Sequence, residues 1–360
     1  MRRGVGGAPT GVVVAMLAAA LLVDGCAGST AGYLARAGWE EARILWRRRP
    51  IETLLADPAL DPATREKLAT VLSVREFGGD RLGLDVGGAY RSYAEVDDGA
   101  LVQVLSAAER SRLVPVTWWF PIVGRVSYKG YFSPEEARRE AERLEGRGYD
   151  TYVRGSVAFS TLGWLDDPVL SNWMQSSRVE LAELVLHELL HRTTYLAGQT
   201  DFNESYANFV GHRGAIAYFE EVDGPEAATT IEARKHWQAQ VASSGRLGSA
   251  LERLRALYAQ AGSDGRAEAD VLRDRRAIFA ELGDPDKVNN AVLLSRMAYL
   301  DRLAWFDEVG RRWGDARAAF DAIRWASEAQ PGVPWEALGE LAGLPTPSPA
   351  LAPSPAPTPG

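Results

Sequence analysis

The chain has 360 residues, with 48 acidic side chains against 40 basic ones and a net charge of −8 at pH 7. That balance argues against nucleic acid as a partner, because phosphate binding needs a basic surface, and a hydrophobic share of 46% excludes disorder over most of the length. The single cysteine excludes a disulfide framework and any Cys-rich zinc or iron–sulfur site, while four histidines leave room for one or two metal sites at most.

At the N-terminus, Arg2 and Arg3 precede an apolar stretch of 13 residues, 11–23. It is short for a membrane span and suits the apolar core of a signal peptide. It runs into Leu22-Val23-Asp24-Gly25-Cys26. This resembles a bacterial lipobox, in which a small residue precedes a cysteine that is lipidated and becomes the mature N-terminus. Residues 1–25 are therefore read as a lipoprotein signal peptide, with the membrane as a partner through lipid at Cys26. Ala27 stands where an aspartate is linked with inner-membrane retention in such lipoproteins. The expected place is the periplasmic side of a bacterial envelope, at the outer membrane. The alternative is a plainly cleaved signal with an incidental cysteine.

The pattern over 33–49 is helical, with Arg47, Arg48 and Arg49 in the last turn, where cations suit the helix dipole, and Pro50 after it. A second helix is expected over 61–75, starting from an Asp-Pro pair. Strands follow over 101–106 and within 113–126, the latter carrying Trp118, Trp119 and Phe120. Ser133 caps a helix that runs to about Gly146, with Glu136 as its capping-box partner. Residues 150–161 alternate as a strand. From Arg178 the chain reads as helical almost to its end. The last stretch, 345–360, holds 7 of the 19 prolines and has no apolar face to bury, so it is expected to be an extended tail.

The helix over 178–196 contains His187-Glu188-Leu189-Leu190-His191. Histidines at i and i+4 share one helix face, one turn apart. Both rings can then reach one Zn2+, and Glu188 is placed to take a proton from an attacking water. Leu181, Leu184, Val185, Leu186, Leu189 and Leu190 would bury this helix, and buried polar groups need partners.

A catalytic zinc needs a third protein ligand and one open position. Downstream stands 201–211, with Asp201, Asn203, Glu204, Ser205 and Asn208 in a second helical stretch. The turn Ala197-Gly198-Gln199 makes the two helices antiparallel neighbours, so Glu204 faces back toward His187 and His191. Glu204 is the expected third ligand; as an alternative, Asp201 and Glu204 have the spacing of a capping box. His212, two turns further on, is a rival ligand, and His236 is expected at the surface. Tyr195, Tyr206 and Tyr299 are candidate donors to the oxyanion of a tetrahedral intermediate. Arg154 and its strand are candidates for an edge that aligns a substrate.

The pair of motifs, His187-Glu188-Leu189-Leu190-His191 followed by Asn203-Glu204-Ser205-Tyr206-Ala207-Asn208-Phe209-Val210-Gly211, resembles the gluzincin metallopeptidases. More closely it is similar to a bacterial "predicted aminopeptidase" lipoprotein family. The likeness covers most of the mature chain, through Tyr90-Arg91-Ser92-Tyr93, Phe120-Pro121-Ile122-Val123-Gly124, Tyr128-Lys129-Gly130-Tyr131-Phe132, the run 160–168 and Asn289-Asn290-Ala291. It implies zinc ligands His187, His191 and Glu204, Glu188 as general base, peptide as substrate, and one metallopeptidase domain over 26–344. The expected fold is α+β, gluzincin-like, with a small mixed sheet leading into the zinc-binding helix and a mostly helical C-terminal half. The competing reading is a non-catalytic lipoprotein that uses the zinc site structurally. Substrate identity, endo- or exopeptidase action and oligomeric state are left open.

Overall fold

The computed structural model describes residues 43–96, 102–120, 124–131, 133–156 and 166–344. The signal segment with Cys26, the Pro-rich tail and parts of the runs 120–124 and 160–168 lie outside the described residues. So does most of the helix expected over 33–49, of which 43–47 is helical. That helix does not reach Arg49. Arg49–Pro50 is instead a short strand (β1), as suits a residue before proline, which is pushed out of the helical region.

After a short helix, Ile51–Leu55 (α1), comes Pro62–Asp80 (α2). Asp61 caps it by accepting from the Thr64 amide at 2.9 Å. The helix runs five residues past the expected end because its last turns pack on the motif helix. A β-carbon on Gly78 would lie 3.1 Å from Leu186 and 3.2 Å from Leu189.

The expected single mixed sheet is divided in three. Ser92–Ala94 (β2) lies between β1, antiparallel, and Val169–Leu170 (β8), parallel. Val102–Glu109 (β3) is the centre of an antiparallel sheet with Tyr128–Tyr131 (β6) and Tyr149–Ser156 (β7) on its two sides. Trp118–Phe120 (β4) and Gly124–Val126 (β5) form a hairpin. These short strands bear no mark of their partners in sequence, since β2 pairs with residues some seventy positions away. Pro134–Glu145 (α3), capped by Ser133, covers the antiparallel sheet through Ala141 and Leu144.

From Ser171 onward the described chain contains no strand. Arg178–Thr193 (α4) and Thr200–Val222 (α5) form a helical hairpin. Ala228–Asp264 (α6), Glu268–Ala280 (α7), Asn290–Leu300 (α8), Leu303–Trp313 (α9), Ala316–Ala329 (α10) and Pro334–Ala342 (α11) follow. The α+β class and the helical C-terminal half thus stand as expected. The main core gathers Trp173, Leu186, Phe202, Phe209, Phe219 and Phe306, and a second cluster joins α6, α7 and α8 through Leu254, Phe279 and Leu293. No described helix is long and apolar enough to cross a membrane.

Candidate metal centre

Ser177 and Glu180 form a reciprocal capping box at the start of α4, so the helix begins with its donors satisfied. It ends at Thr193, short of the expected Leu196. Thr194 is extended, and the Thr193 hydroxyl bonds the Leu189 carbonyl at 2.7 Å while accepting from the Asp85 amide at 2.9 Å. The turn is then held by Asn203. Its side-chain oxygen accepts from Leu196 N at 3.0 Å, and its amide donates to Leu196 O at 2.8 Å. Gly198 supplies the left-handed residue in this turn, at φ 78°.

Within this hairpin, α5 begins at Thr200, so Asp201 lies inside its first turn and does not cap it. Glu204 is therefore not engaged in a capping box. Its Oε2 lies 3.4 Å from His187 Nε2 and 3.6 Å from His191 Nε2, and the two Nε2 atoms are 3.2 Å apart. The rings meet edge to face at 83°. These three side chains form a group that could hold a metal ion, with one ligand atom from each. His191 is buried, while His187 and Glu204 keep a narrow opening to solvent.

The electrostatics couple the three side chains. Burial disfavours the Glu204 charge, but hydrogen bonds from His187 and His191 outweigh it and hold the carboxyl well below its usual range. At His191 burial works against the charged ring, and Glu204 outweighs it and raises the pKa. A metal ion would take the place of that proton, since only a neutral ring can be a ligand. Glu188, between the histidines, is 7% exposed. No hydrogen bond or ion pair engages its carboxylate among the described residues. Behind it lies Tyr90, 2% exposed, in an unusual backbone conformation at φ 58° and tilted against Trp173 at 5.5 Å. Burial first, then the nearby Glu188 charge, keeps the Tyr90 hydroxyl protonated far above neutral pH.

The remaining candidates separate clearly. His212 does not join the group. Two helical turns carry it about 12 Å along α5 from Glu204, where its Nδ1 sits 2.8 Å from Glu183. His236 reaches the surface, as expected, but not as a free side chain. It is half-buried against the same Glu183 carboxylate, at 3.1 Å. Tyr206 is on the other side of α5 from Glu204 and is in the core, donating to the Phe320 carbonyl at 2.6 Å. Tyr195 stays close enough to Glu204 for burial and that charge to raise its pKa.

Tyr299 comes closest to the motif. Its ring stacks on His187 at 6.3 Å, and its hydroxyl accepts from Arg154 Nη2 at 3.3 Å. Burial, and then the Glu204 charge, raises its pKa so that it remains a donor at neutral pH. Two side chains of the second motif put it there. Asn208 donates to the Tyr299 carbonyl at 2.9 Å, and Ser205 donates to the Ala298 carbonyl and accepts from the Asp301 amide, both at 3.1 Å. Asn289 and Asn290 hold the start of α8 on the sheet through Thr151 O, Glu109 O and Asp150.

Sequence reasoning missed Tyr128, which reaches solvent yet has its hydroxyl pKa raised, first by desolvation and then by the nearby Tyr299 and Glu204. It missed Glu183 as the partner of two histidines, although Glu183 stands one turn before His187. It also missed the Asn203 clamp. The first needs the β6–β3 pairing to be known; the others follow from the helical hairpin.

A family model described as "Putative aminopeptidase" matches residues 32–328. No curated protein and no solved structure matches the chain.

Proposed function

The chain belongs to the family described as "Putative aminopeptidase", and on that premise we propose that it is a gluzincin-type peptidase dependent on Zn2+. Its ligands would be His187, His191 and Glu204, and Glu188 would be its general base. The observation that carries this reading is the triangle of ligand atoms, with edges of 3.2, 3.4 and 3.6 Å. A tetrahedral ion with bonds of about 2.0–2.1 Å to N and O has ligand–ligand edges of about 3.3 Å. Two imidazoles and one carboxylate are also a donor set that suits zinc. When bound, such an ion supplies Lewis acidity toward the substrate carbonyl and toward water.

The side chains do the proton work. Glu188, with its carboxylate unengaged, takes the proton of the attacking water and passes it to the leaving amine. Tyr299 donates a hydrogen bond to the developing oxyanion, a role its raised pKa supports. Burial of Glu188 and His191 keeps bulk water from competing at the reacting centre. A structural site would use four protein ligands. Among the described residues the group has three, and Glu183 engages His212 elsewhere.

The enzyme would be anchored by lipid at Cys26 on the periplasmic side of a bacterial envelope. Support for that part is sequence alone, the lone cysteine directly after the apolar run 11–23. The test of the function is a peptide-library digest by the purified soluble form, with and without a chelator. Chelator-sensitive cleavage restored by zinc supports the reading; a zinc-loaded protein that cleaves no member of the library overturns it.

A further inference from the structure

Against Tyr299, whose ring stacks on His187, lies a cavity of about 360 Å3 lined by Tyr152, Arg154, Asn208, Ser295, Arg296 and Tyr299, among others. None of the described residues that line it is acidic. Arg154 extends from β7, an outer strand of its sheet, at the position paired with Val104. Among the described residues its one side-chain hydrogen bond goes to the Tyr299 hydroxyl, and its guanidinium lies 5.6 Å from the centre of that ring. Arg296 stands on α8 one turn before Leu300. Neither arginine has a carboxylate partner among the described residues.

Arg275, which reaches the same strand, is bonded by both arms to Asp150 at 2.7 and 3.1 Å. A half-buried guanidinium without a counter-charge, as at Arg154, costs free energy that a bound anion recovers. The planar fork of arginine matches a carboxylate with two parallel hydrogen bonds. Asn208, which donates its amide to the Tyr299 carbonyl, is neutral and supplies no counter-charge.

We propose that Arg154 and Arg296 form a carboxylate-binding subsite that anchors one end of a short peptide beside the metal centre. The inference rests on the peptidase reading. His187 and Arg154 both lie against the Tyr299 ring, at 6.3 and 5.6 Å from its centre, so the two are no further apart than those distances together. About three extended residues, at roughly 3.5 Å each, cover such a span. A peptide held this way places a backbone carbonyl near His187 while its carboxylate meets the arginines. The carboxylate is either the C-terminus or an acidic side chain, and both present the same two oxygens. The subsite thereby selects short or acidic peptides over long neutral ones.

The test measures equilibrium binding by calorimetry to the zinc-loaded protein carrying Glu188→Gln, which holds peptide without turnover. The probes are trialanine, trialanine amide, and Ala-Ala-Asp amide. Trialanine binding about tenfold or more tighter than its amide supports the subsite with the C-terminus as source. Tight binding of Ala-Ala-Asp amide supports it with a side chain as source. The double change Arg154→Ala/Arg296→Ala should remove either preference, and Arg154→Lys should restore part of it; zinc content and circular dichroism establish that the variants are folded. Equal binding of all three probes, or a preference that survives the double change, overturns the proposal. Cleavage of the library by the parent enzyme is scored separately. Hydrolysis without carboxylate preference sinks the subsite alone, and preference without hydrolysis sinks the peptidase reading alone.

Discussion

Gly211 on α5 meets α4 so closely that a β-carbon there would lie 2.6 Å from the carbonyl oxygen of Glu183 and 3.3 Å from the β-carbon of His187. The contact is with backbone, which cannot rotate away. This close approach sets the separation at which Glu204 meets the two histidines.

Gly211→Ala is therefore expected to push the hairpin apart. Overpacking of this kind costs about 1–3 kcal/mol, read as a lower midpoint in chemical denaturation. Zinc affinity should fall in the same variant, measured by competition with a chromophoric chelator. An unchanged affinity would mean that the helix spacing does not set the site.

Purified protein from 27 to 344 is expected to carry about one equivalent of zinc, since three ligand atoms converge. The double change His187→Ala/His191→Ala should abolish it by elemental analysis. Full retention would remove the site assignment.

The roles of the two glutamates separate by mutation. Glu188→Gln keeps the shape of the side chain but cannot take a proton, so turnover should fall by about 10²–10⁴-fold with zinc retained. On the proposed reading Glu204 is a direct ligand, so Glu204→Gln should lower zinc occupancy as well as rate. If Glu188→Gln cleaves peptides as fast as the parent, Glu188 is not the base.

Asp201 carries a pH dependence. Although the residue reaches solvent, desolvation by the protein around its carboxyl, then repulsion from Asp301 and Glu204, pushes its pKa up to about 6 from an ordinary 3.8. The fold thus prefers the protonated form. That contribution is complete below the unfolded value near 3.8 and is lost as pH rises through about 6. Asp201→Asn should gain thermal stability over the parent as pH is raised from about 4.5 to about 7.5, measured on chelated protein. A difference that does not grow with pH would place the titration elsewhere.

Lipid attachment is expected at Cys26. In a Gram-negative host the full chain should partition with membranes, and Cys26→Ser should release or misprocess it. Equal partitioning of the two forms would count against lipidation.

The candidate metal motif is legible in sequence because its logic is local. A helix repeats every 3.6 residues, so His187 and His191 share a face whatever surrounds them. The short connection through Gly198 likewise makes α4 and α5 neighbours, since the six residues 194–199 leave the chain little room to go elsewhere. Capping residues such as Asp61 and Ser133 mark helix starts for the same reason, because their bonds span three residues. What tertiary structure decided was every relation between distant segments. Spacing alone left Glu204 and His212 as rivals, and Glu183 separates them by engaging His212. Tyr206 and Tyr299 looked alike as oxyanion donors. The hydrogen bonds of Ser205, Asn208 and the Asn289-Asn290 pair bring Tyr299 to His187 while Tyr206 is in the core. The division of one expected sheet into three has the same origin. Strand pairing is set by contacts far apart in the chain, and a three-residue strand has too little pattern to name its partner.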